Sequence, residues 1–435
     1  MGRNRSHALR IFWLGLDMEV GIETSWGTMS APEDPLTNSQ IAELLAIAGD
    51  DAEPPLNRAY RRASRKALLW EEEASCLYRE GLSLTELPGV GPYLEKIIRG
   101  WIEVSPIVGC PPAIRENFLT LTQVRSILGG RPLWSQGVKG DLQMHSVWSD
   151  GSSSIQEMAE AGDVRGYEYI AITDHSKGLK IAGGIDEKQL VRQANEIATV
   201  NESLRRANRT IRVLRSIEVN LSPDGQVDMD FASLAKLDIV LGCFHSALRK
   251  KEDQTERYVA ALRNRAIHIL GHPRGRIYNF RAGLSADWAK VFAVAAELDK
   301  AVEIDSYPDR QDLSLGLLKL ARRAGCRISI GTDAHGASQL RFIEFGLACA
   351  LRAKIDPGRI LNFMGRKELL NWATNVKESD RIVSTDSAGI QSLSGFCTVI
   401  PDAFRVKDGI YGGGVLQPSS RQSCARSEGK CYDRC

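Results

Sequence analysis

The chain repeats one pattern, a short apolar run that stops at His, Asp or Glu. It occurs in KGDLQMHSVWSDG (139–151), YIAITDHS (169–176), IRVLRSIEVN (211–220), DIVLGCFHS (238–246), IHILGHPRGR (267–276) and RISIGTDAHG (327–336). Between these runs lie segments with helical spacing, among them SIQEMAEAGDVRG, EKQLVRQANEIATVNESLRRA, ERYVAALRNR, DWAKVFAVAAELDK and LSLGLLKLARRAG. Strand and helix therefore alternate as parallel α/β units. AVEID (301–305) brings the strands to seven. Polar groups delivered to the carboxyl end of each strand favour a closed parallel barrel with its active rim on that side, because an open sheet would spread them. LRFIEFGLACALRA and GRILNFMGRKELLNWAT supply the closing helices.

A chain of 435 residues has room for such a barrel and a further domain. Hydrophobic residues at 43% and charged residues at 25% exclude a chain dominated by disorder. The net charge of +2 hides local basic surfaces. No apolar run reaches the ~20 residues of a membrane helix, and Asp17 and Glu19 interrupt the early run ALRIFWLGL. Residues 1–37 read as a leader without a period, and Met29 is the expected translation start. Cys76, Cys110, Cys243, Cys326 and Cys349 stand singly in apolar surroundings, which fits reduced thiols in the cytoplasm. Cys424, Cys431 and Cys435 form no CxxC pair and belong to a tail (377–435), rich in Ser and Gly, that is expected to be disordered.

Residues 38–103 show helical spacing only, at Ile41, Leu44 and Leu45 and again at Ala67, Leu68 and Leu69. AYRRASRK (59–66) places Arg61, Arg62, Arg65 and Lys66 on one basic helical surface. In LPGVGPYLEKI, Gly89 and Gly91 permit a tight turn whose backbone N–H groups, with the following helix N-terminus, can face a phosphate. The alternative is a turn that merely joins two packed helices. The turn resembles a helix-hairpin-helix motif, and with AYRRA upstream the region resembles the N-terminal DNA-binding domain of X-family DNA polymerases. That resemblance implies grip on phosphates without reading of bases. A Pro-rich linker (104–136) follows, enclosing the helical piece IRENFLTLTQVRSIL.

Divalent metals in hydrolases require several His and carboxylate ligands and a position left for water. This chain offers His145, Asp150, His175, Glu218, His245, His272, Asp333 and His335. A lone strand-end histidine is more often structural, and the repetition is what shifts the balance. Asp333 and His335 are one residue apart and project to the same side of an extended segment, as do Gln143 and His145. His268 sits inside IHILGH and reads as a structural or surface histidine; Asp174 reads as a residue that orients its neighbour His175 or else supports the ligands from behind.

DLQMHS with WSDG, TDHS, IEV, FHS, GHPRGR and TDAH resemble the successive motifs of the PHP (polymerase and histidinol phosphatase) family over residues 137–376. The resemblance implies a distorted seven-stranded barrel, phosphoester hydrolysis and two or three divalent ions, zinc or manganese. It implies one ion at His145, Glu218 and Asp333, a second sharing Glu218 with His245 and His272, and a third at Asp150, His175 and His335. Gln143 stands where the family has the first His of an HxH pair. An amide oxygen is a weaker ligand than imidazole, so the first ion is expected to bind loosely or to be a hard ion such as manganese or magnesium. Lys177, Arg249, Arg274, Arg276 and Arg310 are candidate phosphate contacts, since cationic side chains near the rim match phosphate oxygens.

No GxSxG elbow, P-loop or dinucleotide GxGxxG follows a strand, which argues against serine hydrolase, nucleotide-driven motor and dehydrogenase readings, and a metal-bound water would make a covalent nucleophile unnecessary. The leading expectation is a metal-dependent phosphoesterase acting on DNA ends in repair, as a 3′ to 5′ exonuclease or 3′-phosphatase without a polymerase palm. The alternatives are a small-molecule phosphatase of the histidinol-phosphate type and a non-catalytic DNA-binding protein impaired at Gln143.

Overall fold

The computed structural model describes residues 35–389, with side chains to residue 378. The expected leader up to residue 34, with His7 and Met29, lies outside the described residues. So does the tail from residue 390, with Cys424, Cys431 and Cys435. Among the described residues no helix is long and apolar enough to cross a membrane, and Cys76, Cys110, Cys243, Cys326 and Cys349 form no disulfide.

Helix α1 (Asn38–Asp51) starts on a capping box in which Thr37 and Gln40 satisfy each other's backbone N–H groups. α2 (Leu56–Ala67), α3 (Ala74–Arg79) and α4 (Pro92–Val104) follow. Their apolar faces meet around Ile41, Leu45, Trp70, Leu84 and Ile98, all fully buried. α2 turns Tyr60, Ala63, Ser64 and Ala67 inward and leaves Arg58, Arg61, Arg62, Arg65 and Lys66 exposed. Gly89, at φ 84°, turns the chain into α4. A Cβ there would lie 3.3 Å from the Lys66 side chain, so the turn abuts the basic helix.

The segment from residue 105 onward is pinned rather than free. Arg115 grips Glu43 through two hydrogen bonds of 2.8 Å and reaches Asp50 at 3.2 Å. The Gln311 side chain bonds both backbone groups of Leu119, at 2.8 and 2.9 Å. These contacts hold 114–120 out of the helix expected there, and α5 (Leu121–Leu128) starts only at the Thr120–Gln123 capping box. α6 (Pro132–Gln136) leads into the barrel.

The strands are β1 (Gly140–Asp141), β2 (Tyr169–Ile172), β3 (Arg212–Asn220), β4 (Ile239–Cys243), β5 (Ile269–Leu270), β6 (Ala301–Asp305) and β7 (Arg327–Gly331). They pair in parallel in sequence order, as expected. The ring is nearly closed. Met144, just past β1, bridges Ala334, just past β7, and the Asp333 N–H donates to Gln143 O while the His145 N–H donates to Ala334 O. In chain order α7 (Ile155–Val164), α8 (Glu187–Arg206), α9 (Phe231–Leu234), α10 (Thr255–Arg263), α11 (Trp288–Glu297), α12 (Leu315–Ala324), α13 (Ile343–Arg352) and α14 (Arg366–Gly389) cover the sheet. Helix α14 carries on past Lys377, where the composition shift suggested the helix would end.

Alternation decides what fills the barrel. Ile170, Ile172, Val302, Ile304, Ile328 and Ile330 pack outward under the helices. Tyr169, Ala171, Leu214, Ile239, Leu241, Ile269 and Ala301 share a second cluster with Leu369, Trp372 and Val376 of α14, which plugs the amino-terminal end. Further along those same faces stand Glu218, Cys243, Glu303 and Asp305. The interior therefore runs from an apolar floor to a polar rim.

Candidate metal centre

The rim gathers the strand-end residues around one buried carboxylate, Glu218 of β3. His245 Nε2 lies 2.8 Å and His272 Nε2 3.0 Å from its Oε1; His145 Nε2 lies 3.4 Å from its Oε2 and His175 Nδ1 3.8 Å from Oε1. The Gln143 amide N–H donates to Oε2 at 2.9 Å. A second focus is Asp150, with His335 Nε2 at 3.4 Å, His175 Nε2 at 3.6 Å and His145 Nδ1 at 3.9 Å. Asp333 completes a third, 3.0 Å from His145 Nε2. The His145 ring stacks on His175 with centroids 4.3 Å apart, which joins the foci into one cluster.

Local backbone geometry aims these groups. Asp333 has φ 51° and His272 has φ 22°, both in the left-handed region that side chains other than Gly rarely adopt. Each is held by outside bonds: the His272 N–H donates to Glu303 Oε2 at 2.7 Å, and Asp333 by the seam between β1 and β7. Strain held in place by surrounding bonds is characteristic of preorganised sites.

Burial raises the Glu218 carboxyl, but the facing charge of His175 and the close approach of His145, His245 and His272 outweigh it and hold the pKa well below the usual range. Burial likewise disfavours the His272 imidazolium, yet Glu218 lifts this group to about 9. Asp150 and Asp333 resist burial in the same way, the first through His175 and His335, the second through Arg310 and His145, and both end low. Such mutual holding of imidazoles and carboxylates is the charge pattern a cation would replace.

Orphaned polar atoms test whether cations fit. His245 Nε2, though 2.8 Å from Glu218 Oε1, lies outside hydrogen-bonding geometry and is left without a hydrogen-bond partner. His145 Nδ1, His175 Nδ1 and Gln143 Oε1 are also buried without a hydrogen-bond partner. Among the described residues, ligand atoms within 4.8 Å of one another form four groups: His145, Asp150, His175 and His335; His175, Glu218 and His245; Glu218, Cys243 and His272; His145, Glu218 and Asp333. The donor set is the imidazole-and-carboxylate mixture suited to zinc or manganese, and it supports divalent metal binding.

All eight expected ligands and Gln143 thus meet in one cluster. Three neighbours escaped the sequence reading. Glu303 lies under His272, and burial pushes its carboxyl up to about 8. Asp305 is pushed up as well, by burial and then by Asp333. Cys243 reaches the Glu218–His272 group, but burial holds it as a thiol. The acid ending AVEID was the same signal that marked the other strands.

Of the phosphate candidates, Arg310 alone stands at this centre, its Nε 3.2 Å from Asp333 Oδ2. Arg274 instead donates to Ala282 O at 2.7 Å, and Arg276 donates to Glu116 O at 2.8 Å while its guanidinium stacks 3.8 Å above Phe118. Both hold loops together, because they lie where backbone carbonyls lack other donors. Lys177 pairs with Glu187 at 2.6 Å, and Arg249 lies 4.9 Å over the Phe280 ring. Asp174 does not orient His175. Its carboxylate accepts from the Ser146 backbone N–H and hydroxyl, the Ser149 hydroxyl and the Gln193 amide, fixing the loop after β1.

No family model matches the chain. It is 36% identical over 261 residues to the DNA polymerase/3′-5′ exonuclease PolX of Bacillus subtilis (strain 168), a match covering 60% of this chain and 45% of that protein. It is 26% identical over 238 residues to the probable phosphatase YcdX of Escherichia coli O139:H28, covering 53% of this chain and 92% of that protein. These likenesses support a PHP-family domain. The chain spans less than half the length of its PolX relative. A solved histidinol phosphate phosphatase from Lactococcus lactis, 17% identical, aligns over 50% of this chain and 94% of its own with a TM-score of 0.37, too weak a likeness to carry weight. Together with the clustered imidazoles and carboxylates, the exonuclease and phosphatase relatives point to a metal-dependent phosphoester hydrolase.

Proposed function

We propose that this protein hydrolyses phosphoesters at DNA ends, as a 3′ to 5′ exonuclease or 3′-phosphatase, using two or three divalent ions. The observation that carries the reading is Glu218, a single buried carboxylate faced by four imidazoles beside a second focus at Asp150. His145, Glu218 and Asp333 would hold one ion, His245 and His272 with Glu218 a second, and Asp150, His175 and His335 a third. Bound divalent ions supply Lewis acidity toward a phosphoryl oxygen and a lowered pKa for water.

The chain's own residues do the rest. Arg310 stands over Asp333 with a side chain 30% exposed, placed to meet an incoming phosphate. Gln143 and the Glu303 carboxyl bond from below to Glu218 and to the His272 backbone, fixing these groups before substrate arrives. The exposed cations of α2 and the adjoining Gly89–Gly91 turn favour a polyanion over a small monoester. DNA is the polyanion that the PolX likeness suggests.

The test is purified protein with manganese and end-labelled single-stranded or nicked DNA. Shortening or dephosphorylation by the native chain, lost in His245→Ala and in Asp333→Ala, is the expected result. Equal activity in those variants would overturn the proposal.

A further inference from the structure

Two clefts meet beside the metal centre. One, about 490 Å³, is lined by Arg58, Arg62, Arg65 and Lys66 of α2 and by Tyr307 and Asp309 of the loop after β6. The other, about 600 Å³, is lined by Arg65, Tyr307 and Asp309 again, then by Phe280, Arg310 and His335. The shared residues set the clefts side by side as one continuous lining, which we call the channel, with the Arg65–Asp309 ion pair, 3.5 Å long, between them. Tyr307 links the channel to the candidate ligands, its ring 6.5 Å from that of His335.

Helix α2 is fixed as a wall of this channel. The Ser64 hydroxyl lies 2.9 Å from the Tyr278 hydroxyl, and Leu68 packs against Phe118 and Tyr278. Among the described residues Arg58, Arg62 and Lys66 enter no ion pair, whereas Arg61 is paired with Asp50. Past the Arg65–Asp309 pair the lining turns aromatic. Phe280 is 53% exposed, a large apolar ring left in water with Arg249 stacked over it, and Tyr307 faces the same space.

Free cations leading to one exposed and one half-buried ring are the elements of a single-strand nucleic-acid track, in which cations follow the backbone and rings stack on bases that a duplex would hide. We propose that the channel guides one polynucleotide strand end-first into the metal centre. Phosphates lie against Arg58, Arg62 and Lys66, the chain passes Arg65, and the last base stacks on Phe280 or Tyr307. That places the terminal phosphoryl group between Arg310 and His335. The catalytic part of this picture rests on the function proposed above; the track itself does not.

The experiment measures binding without cleavage. A fluorescein-labelled mixed-sequence oligonucleotide is titrated with the full chain in manganese-free buffer, as a single strand and as a duplex, across a range of salt. The native protein is expected to prefer the single strand. Arg58→Ala with Arg62→Ala should weaken binding about tenfold and reduce the salt slope by about 1.4, and Phe280→Ala should weaken it about fivefold or more. Arg205→Ala with Arg206→Ala, which removes the same charge from the exposed end of α8, should change binding little. No binding by the native chain, equal affinity for duplex, or equal loss in the α2 and α8 pairs would overturn the proposal. Binding as expected in a protein that leaves DNA uncut with manganese would uphold the track and defeat the hydrolytic reading.

Discussion

The Gln143 amide N–H donates to Glu218 Oε2 at 2.9 Å, while its Oε1 is buried without a partner. A neutral amide thus occupies a position next to the first expected ion, where imidazole would bring a stronger donor. Gln143→His is expected to lower the manganese concentration for half-maximal hydrolysis of a small phosphate ester by about tenfold. A metal titration that gives the same midpoint for both proteins would show that Gln143 does not limit ion binding.

Gly331 is where β7 presses on the site from below. A Cβ at this position would sit 2.3 Å from Glu303 Oε1 and 2.6 Å from Gln143 Cβ, both walled in. Gly331→Ala should cost about 1–3 kcal/mol in urea unfolding, as overpacking does, and should lower activity by displacing Gln143. Unchanged stability would mean that β7 moves aside freely.

Arg115 ties the first helix to the barrel, bonding Glu43 and Asp50 on one side and Asn279 on the other. Its guanidinium is 8% exposed and holds Glu43 with two bonds, so Arg115→Ala leaves a buried carboxylate unpaired. The expected loss is about 3–5 kcal/mol, read by chemical denaturation. A loss below about 1 kcal/mol would place the pair with surface bridges of little worth.

His268 governs part of the acid response. Burial, aided by the positive charge of Lys377 and Lys300, pushes it down to about 3, and its Nδ1 accepts the Val240 N–H at 3.0 Å. Its ordinary value is 6.5, so between pH 6.5 and 3 the unfolded chain binds more protons than the folded one. Stability is therefore whole above about pH 6.5 and falls as pH drops through that window, by about 2 kcal/mol at pH 5 from this group. His268→Asn keeps an acceptor for Val240 and removes the titration. Its loss of melting temperature between pH 7 and 5 should be smaller than that of the native protein; parallel losses would sink the assignment.

The gathering of the candidate residues was legible because each ends an apolar run, and period-two alternation with a common strand direction sends run endings to one rim. The fold was legible for the same reason. The roles of Arg274 and Arg276 were not, since a cation beside a metal motif looks the same in sequence whether it faces phosphate or caps Ala282 and Glu116 carbonyls. Glu303 and Asp305 were passed over because no histidine flagged their strand. Arg115 lay hidden in a Pro-rich stretch, where composition says nothing of the partner at Glu43 more than seventy positions earlier.

The bridge from Met144 to Ala334 joins the first strand to the last, and His145 and Asp333 stand beside it. Half of the chain, however well ordered, would own only one side of that junction. The groups at His145 and Asp333 and at His335 can accordingly assemble only once the chain has passed residue 335, whereas Glu218, His245 and His272 come from strands that precede it.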